Sequence, residues 1–131
     1  MLHGRELTPE ELHTIEAQFI SAACRAHRAG YDGVELHASH GYLLSMFLNP
    51  ALNRRTDGYR VQDRLLLAYI LRGIRTNTPP DFLVGVRLGA FEPDLETSLD
   101  NARWLEARGV DFLDVYSGCD WEHRREVPEG Y

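Results

Sequence analysis

The chain has 131 residues, 44% of them hydrophobic and 26% charged, which suits one globular domain able to bury a core. Its formal net charge of −6 argues against a nucleic-acid surface as the main function, while leaving room for an anionic ligand held by a few local arginines. Two cysteines, Cys24 and Cys119, form neither a disulfide framework nor a CxxC metal motif, no apolar run approaches the ~18 residues of a membrane span, and Met1-Leu2-His3-Gly4-Arg5 does not read as a signal peptide, so a cytoplasmic location is expected.

The first helix is announced by Thr8-Pro9-Glu10-Glu11, a capping box with proline at the first helical position. Leu12, Ile15, Phe19, Ala22, Ala23 and Ala26 recur at helical spacing, and Gly30 suits the left-handed residue that ends a helix, so a helix is expected over about residues 9–29. Val34-Glu35-Leu36-His37 alternates and reads as a strand. Leu43 to Leu48 suggests a helical turn or compact loop, stopped by Asn49-Pro50, and Asn53 to Tyr59 is polar and aperiodic, a loop. Leu65, Leu66, Tyr69, Ile70 and Ile74 give a second long helix its stripe over about 61–77. Leu83-Val84-Gly85-Val86-Arg87-Leu88 is the second strand. Asp94 can cap a third long helix carrying Leu95, Leu99, Ala102, Trp104 and Leu105, in which Trp104 is expected to pack in the core. Phe112 to Tyr116 is the third strand, and the tail beyond it is polar and irregular.

Helices alternating with strands predict parallel strands joined by right-handed crossovers. A weak repeat agrees: Ala29-Gly30-Tyr31-Asp32-Gly33-Val34-Glu35-Leu36 resembles Arg108-Gly109-Val110-Asp111-Phe112-Leu113-Asp114-Val115. Strand parity puts apolar Val34, Leu36, Val84, Val86, Leu88, Leu113 and Val115 on one face. The opposite face carries Glu35, His37, Arg87 and Asp114. A sheet covered by helices on both faces wants both faces apolar, whereas a barrel interior can hold charged residues in layers near its mouth. The expected fold is therefore α/β, a partial (β/α)8 barrel of about three consecutive units, with Glu35, Arg87 and Asp114 on its concave side.

His37 ends the first strand, and His40 and Tyr42 follow within five residues, so two imidazoles and a phenol gather at the strand end where barrel enzymes carry their chemistry. They are read as groups that bind and protonate a substrate. The pair His37 and His40 could also ligate a metal, but such a site needs a third or fourth ligand.

These residues also carry a resemblance. Residues 29–53 resemble the old yellow enzyme group of flavin-dependent ene-reductases, including the dienoyl-CoA reductase branch, through Gly33-Val34-Glu35-Leu36-His37, His40-Gly41-Tyr42-Leu43-Leu44 and Phe47-Leu48-Asn49-Pro50. Asn53-Arg54-Arg55-Thr56-Asp57-Gly58-Tyr59, Val84-Gly85-Val86-Arg87-Leu88 and Asp111 to Gly118 extend it in the same order over nearly the whole chain. The resemblance implies a (β/α)8 barrel holding FMN, reduced by NADH or NADPH, that reduces the C=C bond of a small α,β-unsaturated carbonyl compound. It implies that His37 and His40 hold the carbonyl oxygen as charge develops there, and that Tyr42 donates the proton to the α-carbon, since phenols ionise only near pH ~10. It places Arg87 beside the flavin pyrimidine edge, a role compatible with an ion pair to Glu35 or Asp114. Arg54, Arg55 and Asp57 read as a loop tied back by ion pairs, with solvated arginines as the alternative, and Cys119 as an ordinary thiol.

The chain departs from the family's pattern in two places. Arg60-Val61-Gln62-Asp63-Arg64 follows Tyr59 where the family continues with two glycines and a serine. Only three strands are found, read as the fourth to sixth of eight, and the cysteines of the iron–sulfur branch are absent. Residues 1–131 are thus expected to form a single fragment of an FMN-binding barrel domain. Its partners would be the remaining strands, in the same or another chain, with a homo-oligomer left open. The other readings are a non-catalytic remnant or assembly piece, and a metal-dependent barrel hydrolase using His37 and His40.

Overall fold

In the computed structural model, which describes residues 5–117, the first helix starts where its capping box directs. The Glu11 N–H donates to Thr8 Oγ1 at 3.3 Å, the Thr8 N–H donates to the Glu11 carboxylate at 2.8 Å, and α1 spans Pro9–Arg28. β1 (Gly33–Ala38), α2 (Leu43–Leu48), α3 (Leu65–Asn77), β2 (Leu83–Gly89), α4 (Leu95–Glu106) and β3 (Phe112–Tyr116) follow in that order. Cys119, the polar tail from residue 118 and the first four residues lie outside the described residues.

Two expectations need correction. The second long helix begins at Leu65 rather than near Val61, because Arg64 takes a left-handed conformation with φ 49°. From there its Nε donates to Asn101 Oδ1 at 2.9 Å and its guanidinium pairs with Asp100. These bonds give the guanidinium a buried amide oxygen and a charged partner that a further helical turn at 61–64 would forgo. The buried face of α4 runs through Ser98, Asn101 and Leu105, so Leu95 and Leu99 face outward. Asn101 is tolerated inside because its amide is satisfied: Nδ2 donates to the Leu48 carbonyl at 3.4 Å while Oδ1 takes the Arg64 bond. Trp104 is half-buried, packing on the core with the Arg64 and Arg108 guanidinium carbons 5.6 and 4.4 Å from its ring centre.

The strands form one parallel sheet in the order β1-β2-β3. The repeat seen in the sequence has a physical basis in two matching helix ends. Gly30 and Gly109 are both left-handed, with φ 86° and 73°. Tyr31 N–H returns to the Ala26 carbonyl and Val110 N–H to the Leu105 carbonyl, the bond that closes each helix before its strand. Asp111 then joins strands to helix: its carboxylate accepts the Val84 N–H and an Arg75 N–H, each at 2.6 Å.

One face of the sheet carries Leu36, Ala38, Val84, Val86 and Leu88, all buried with Leu12, Leu66, Leu67, Ile70 and Ile74 of the covering helices. The loop before α3 is pinned to this body by several bonds. Asn53 Nδ2 donates to the carbonyls of Phe47 and Tyr59 at 2.9 and 3.0 Å. Arg55, whose side chain is only 7% exposed, pairs with Asp57 and donates to the Leu7 carbonyl at 2.7 Å. Arg55 and Asp57 thus bear out the expected tie, whereas Arg54 is exposed to solvent. Tyr59 is buried, its hydroxyl donating to Glu16 at 3.0 Å, and desolvation followed by that bond raises the phenol above its ordinary pKa.

Candidate active site

Parallel register sets the site. His37 pairs with Arg87, and Arg87 with Asp114, so these three form one row on the face away from the helices. Two residues toward the amino ends, Glu35, Gly85 and Phe112 form the row below. Glu35, Arg87 and Asp114 therefore share the open face, as expected from parity. Arg87 resolves its alternatives in favour of Asp114, with Nε 3.3 Å from Oδ2. Gly85 has no side chain because the Phe112 ring lies over it; a β-carbon there would sit 2.1 Å from Cζ.

Beyond His37 the chain turns sharply. Ala38 returns to the helix face, Ser39 is fully buried, and His40 and Gly41 both take left-handed conformations with φ 63° and 71°. That conformation is uncommon for a residue with a β-carbon. It brings the His40 ring back over His37: the rings stack with centres 5.1 Å apart, and His40 Nδ1 lies 3.4 Å from His37 Nε2. Ser39 Oγ is 2.9 Å from the same Nδ1. Tyr42 precedes α2 in extended conformation and caps it with no side-chain bond. Its ring is 64% exposed and its centre is 5.2 Å from that of His37. The four residues singled out from the sequence, His37, His40, Tyr42 and Arg87, thus come together at the carboxyl end of the sheet.

Two further residues complete the cluster. Tyr116, at the end of β3, stands between the histidines and the arginine: its ring centre is 4.1 Å from His40 and 5.4 Å from the Arg87 guanidinium carbon. Parity with Asp114 was a sequence signal for its face, but only the β2–β3 register reveals its neighbours. Glu92, in the loop after β2, accepts the His40 backbone N–H at 2.6 Å, and no local sequence pattern marks it.

Arg87 Nε is buried yet makes no hydrogen bond of acceptable geometry, although Asp114 lies within ion-pair reach. The guanidinium is otherwise partly exposed next to an aromatic ring, an arrangement that suits the electron-rich edge of a planar heterocycle. The paired imidazoles at this rim suit an oxygen that gains negative charge. Among the described residues no three His, Cys, Asp or Glu side chains are grouped to hold a metal ion, and no helix is long and apolar enough to cross a membrane.

Comparison with known proteins gives a consistent result. The model of the NADH:flavin oxidoreductase / NADH oxidase family matches residues 1–128. The NADH-dependent flavin oxidoreductase iliE of Hypocrea jecorina (strain QM6a) is 39% identical over 121 residues, covering 87% of this chain and 30% of the relative. A structure of a 2-naphthoyl-CoA reductase in complex with 2-naphthoyl-CoA superposes with a TM-score of 0.80 at 32% identity, over 87% of this chain and 19% of that one. The old yellow enzyme homologue from Zymomonas mobilis superposes with a TM-score of 0.72 at 28% identity, over 84% of this chain and 34% of the other. The chain thus spans about a third or less of these proteins, and its three strands form part of a (β/α)8 barrel.

Proposed function

The chain belongs to the NADH:flavin oxidoreductase / NADH oxidase family, and on that premise we propose that it is the catalytic slice of an FMN-dependent ene-reductase acting on α,β-unsaturated carbonyl compounds. The observation that carries this reading is the meeting of His37, His40, Tyr42 and Arg87 on one rim of the open face, linked through Tyr116.

When bound, FMN reduced by NADH or NADPH would supply the hydride for the β-carbon of the substrate. The chain's own residues do the rest. N–H groups of His37 and His40 take the substrate carbonyl oxygen between them and stabilise it as negative charge grows, the role of an oxyanion hole. Tyr42, exposed beside His37 with its hydroxyl uncommitted among the described residues, gives its proton to the α-carbon as a general acid. Arg87, through its partly exposed guanidinium, would hold the pyrimidine edge of the flavin, where a fixed positive charge would favour electron-rich states. Tyr116 separates this arginine from the imidazoles and keeps both oriented.

The rest of the barrel, from the same or another polypeptide, supplies the other flavin contacts, and a cytoplasmic location suits a nicotinamide-dependent enzyme. Residues 1–131 are then one piece of an FMN-binding domain. Grafting residues 5–117 in place of the matching segment of the Hypocrea jecorina relative provides the remaining strands. The graft is expected to hold FMN and to oxidise NADH in the presence of 2-cyclohexenone. A folded, flavin-loaded graft that leaves the enone unchanged contradicts the proposal.

A further inference from the structure

We propose that Glu92 is a positioning residue that sets the geometry of the imidazole pair from a separate loop. The inference rests on the reading of His37 and His40 as the carbonyl-binding pair, which it deepens by naming what holds His40 in place.

The local chain does not account for the His40 conformation. A left-handed residue bearing a β-carbon is strained unless its surroundings support it, and Gly41 beside it adds freedom rather than constraint. The support comes from 52 residues away. The His40 N–H, turned inward by its positive φ, donates to Glu92 Oε1 at 2.6 Å, the short distance of a charge-assisted bond. Without that acceptor the N–H is an orphaned donor, and the extended conformation becomes the cheaper one.

Glu92 is itself held at both ends. Its backbone N–H donates at 3.3 Å to Ser98 Oγ, which is buried on α4. Its side chain lies across the end of β2, where Gly89 leaves room: a β-carbon at position 89 would fall 2.4 Å from Glu92 Cδ and 2.6 Å from Oε1. Gly89 is also the register partner of Tyr116, the residue whose ring faces His40. The backbone of His40 is thus fixed by Glu92, its Nδ1 by Ser39 and its ring by His37 and Tyr116. The hydrogen bond from Glu92 to His40 is to the backbone N–H, so Glu92 acts through the main chain.

The inference makes Glu92 and Gly89 two routes to the same effect. In the 131-residue chain, amide exchange and histidine ring resonances followed by nuclear magnetic resonance read the device without substrate or flavin. Glu92→Ala is expected to raise the exchange rate of the His40 amide roughly 10- to 100-fold, as for a lost hydrogen bond to a charged group. It should also separate the His37 and His40 ring resonances from their stacked positions. Gly89→Ala, which keeps the carboxylate but evicts it from the strand end, should do the same. Glu92→Gln, which keeps an acceptor oxygen, should restore most of the protection. Amides of Val84, Val86 and Ile74 should stay as protected as in the unaltered chain. Unmoved His40 signals in Glu92→Ala or Gly89→Ala overturn the inference, as does a loss of protection that falls equally on the core amides. Because no turnover is measured, a failure here is separate from a graft that fails to reduce an enone.

Discussion

Tyr42 and the two histidines lie within six residues of one another, and that closeness is why they were legible from the sequence. A strand that ends in His37 and continues as His40-Gly41-Tyr42 has few ways to keep the three side chains apart. Tyr42→Phe removes only a hydroxyl from an exposed ring, so folding and carbonyl binding should survive. In the flavin-loaded graft it should lower kcat by about 10²- to 10⁴-fold, the usual contribution of a general acid, with KM little changed; equal loss in both parameters would argue for a binding role instead. The face of Arg87 was legible as well, because it falls out of step with the apolar residues of its strand. Tyr116 and Glu92 were harder, for different physical reasons. Tyr116 gains its meaning from the pairing of Gly89 with Tyr116, a register that no local pattern encodes. Glu92 depends on one hydrogen bond between two loops, and a lone carboxylate in a loop ordinarily reads as a solvated charge.

At the scale of elements, capping and periodicity predicted α1, β1, β2 and β3 closely, because Thr8, Gly30 and the alternating runs act locally. The errors fall where tertiary bonds prevail. Arg64 forgoes a helical turn for Asn101 and Asp100, and α4 turns Ser98 and Asn101 inward because neighbouring groups satisfy them. Close packing of α1 on α3 is similarly invisible in the sequence. Gly73 sits mid-helix, and a β-carbon there would come 2.1 Å from Ile20 Cδ1. Alanine should gain at most about 1 kcal/mol in helix propensity, against about 1–3 kcal/mol for overpacking a helix contact. Gly73→Ala is therefore expected to lower stability to urea, and a rise would mean the helices separate freely.

Asp111 provides a pH-dependent link between elements. The Val84 N–H, and then Arg75, hold its carboxyl below the ordinary carboxylate range. A carboxylate with a depressed folded pKa stabilises fully above its unfolded value of ~3.9 and loses that contribution as pH falls through the folded value. Asp111→Asn should therefore cost about 1 kcal/mol at neutral pH, allowing for a partly exposed site. The difference between variant and parent in urea titrations should shrink below pH ~4. A difference that is constant with pH would assign the loss to packing rather than charge.

For the molecule as a whole, parity already separated a barrel slice from a doubly wound sheet, since Glu35, Arg87 and Asp114 on one face exclude a second helical layer there. The sheet leaves the outer edges of β1 and β3 unpaired among the described residues, and Val115, on the helix-side face, is 61% exposed. Such surfaces fit a segment made to be flanked by further strands, the fourth to sixth of eight in the proposed domain. With Arg87 as the one flavin contact assigned to this segment, the isolated chain should leave a desalting column colourless after incubation with excess FMN. A yellow protein peak with near-stoichiometric flavin would show instead that these three strands suffice for the cofactor.

The central claim is that His37 and His40 act on the substrate rather than merely close a strand. It is tested most directly by the anaerobic reoxidation of NADH-reduced flavin by 2-cyclohexenone, in the graft with and without His37→Ala and His40→Ala. The account predicts unimpaired flavin reduction by NADH and a reoxidation rate lowered by about 10²- to 10³-fold in each variant, the effect of removing an oxyanion donor. Reoxidation at the parental rate in the double variant would contradict it.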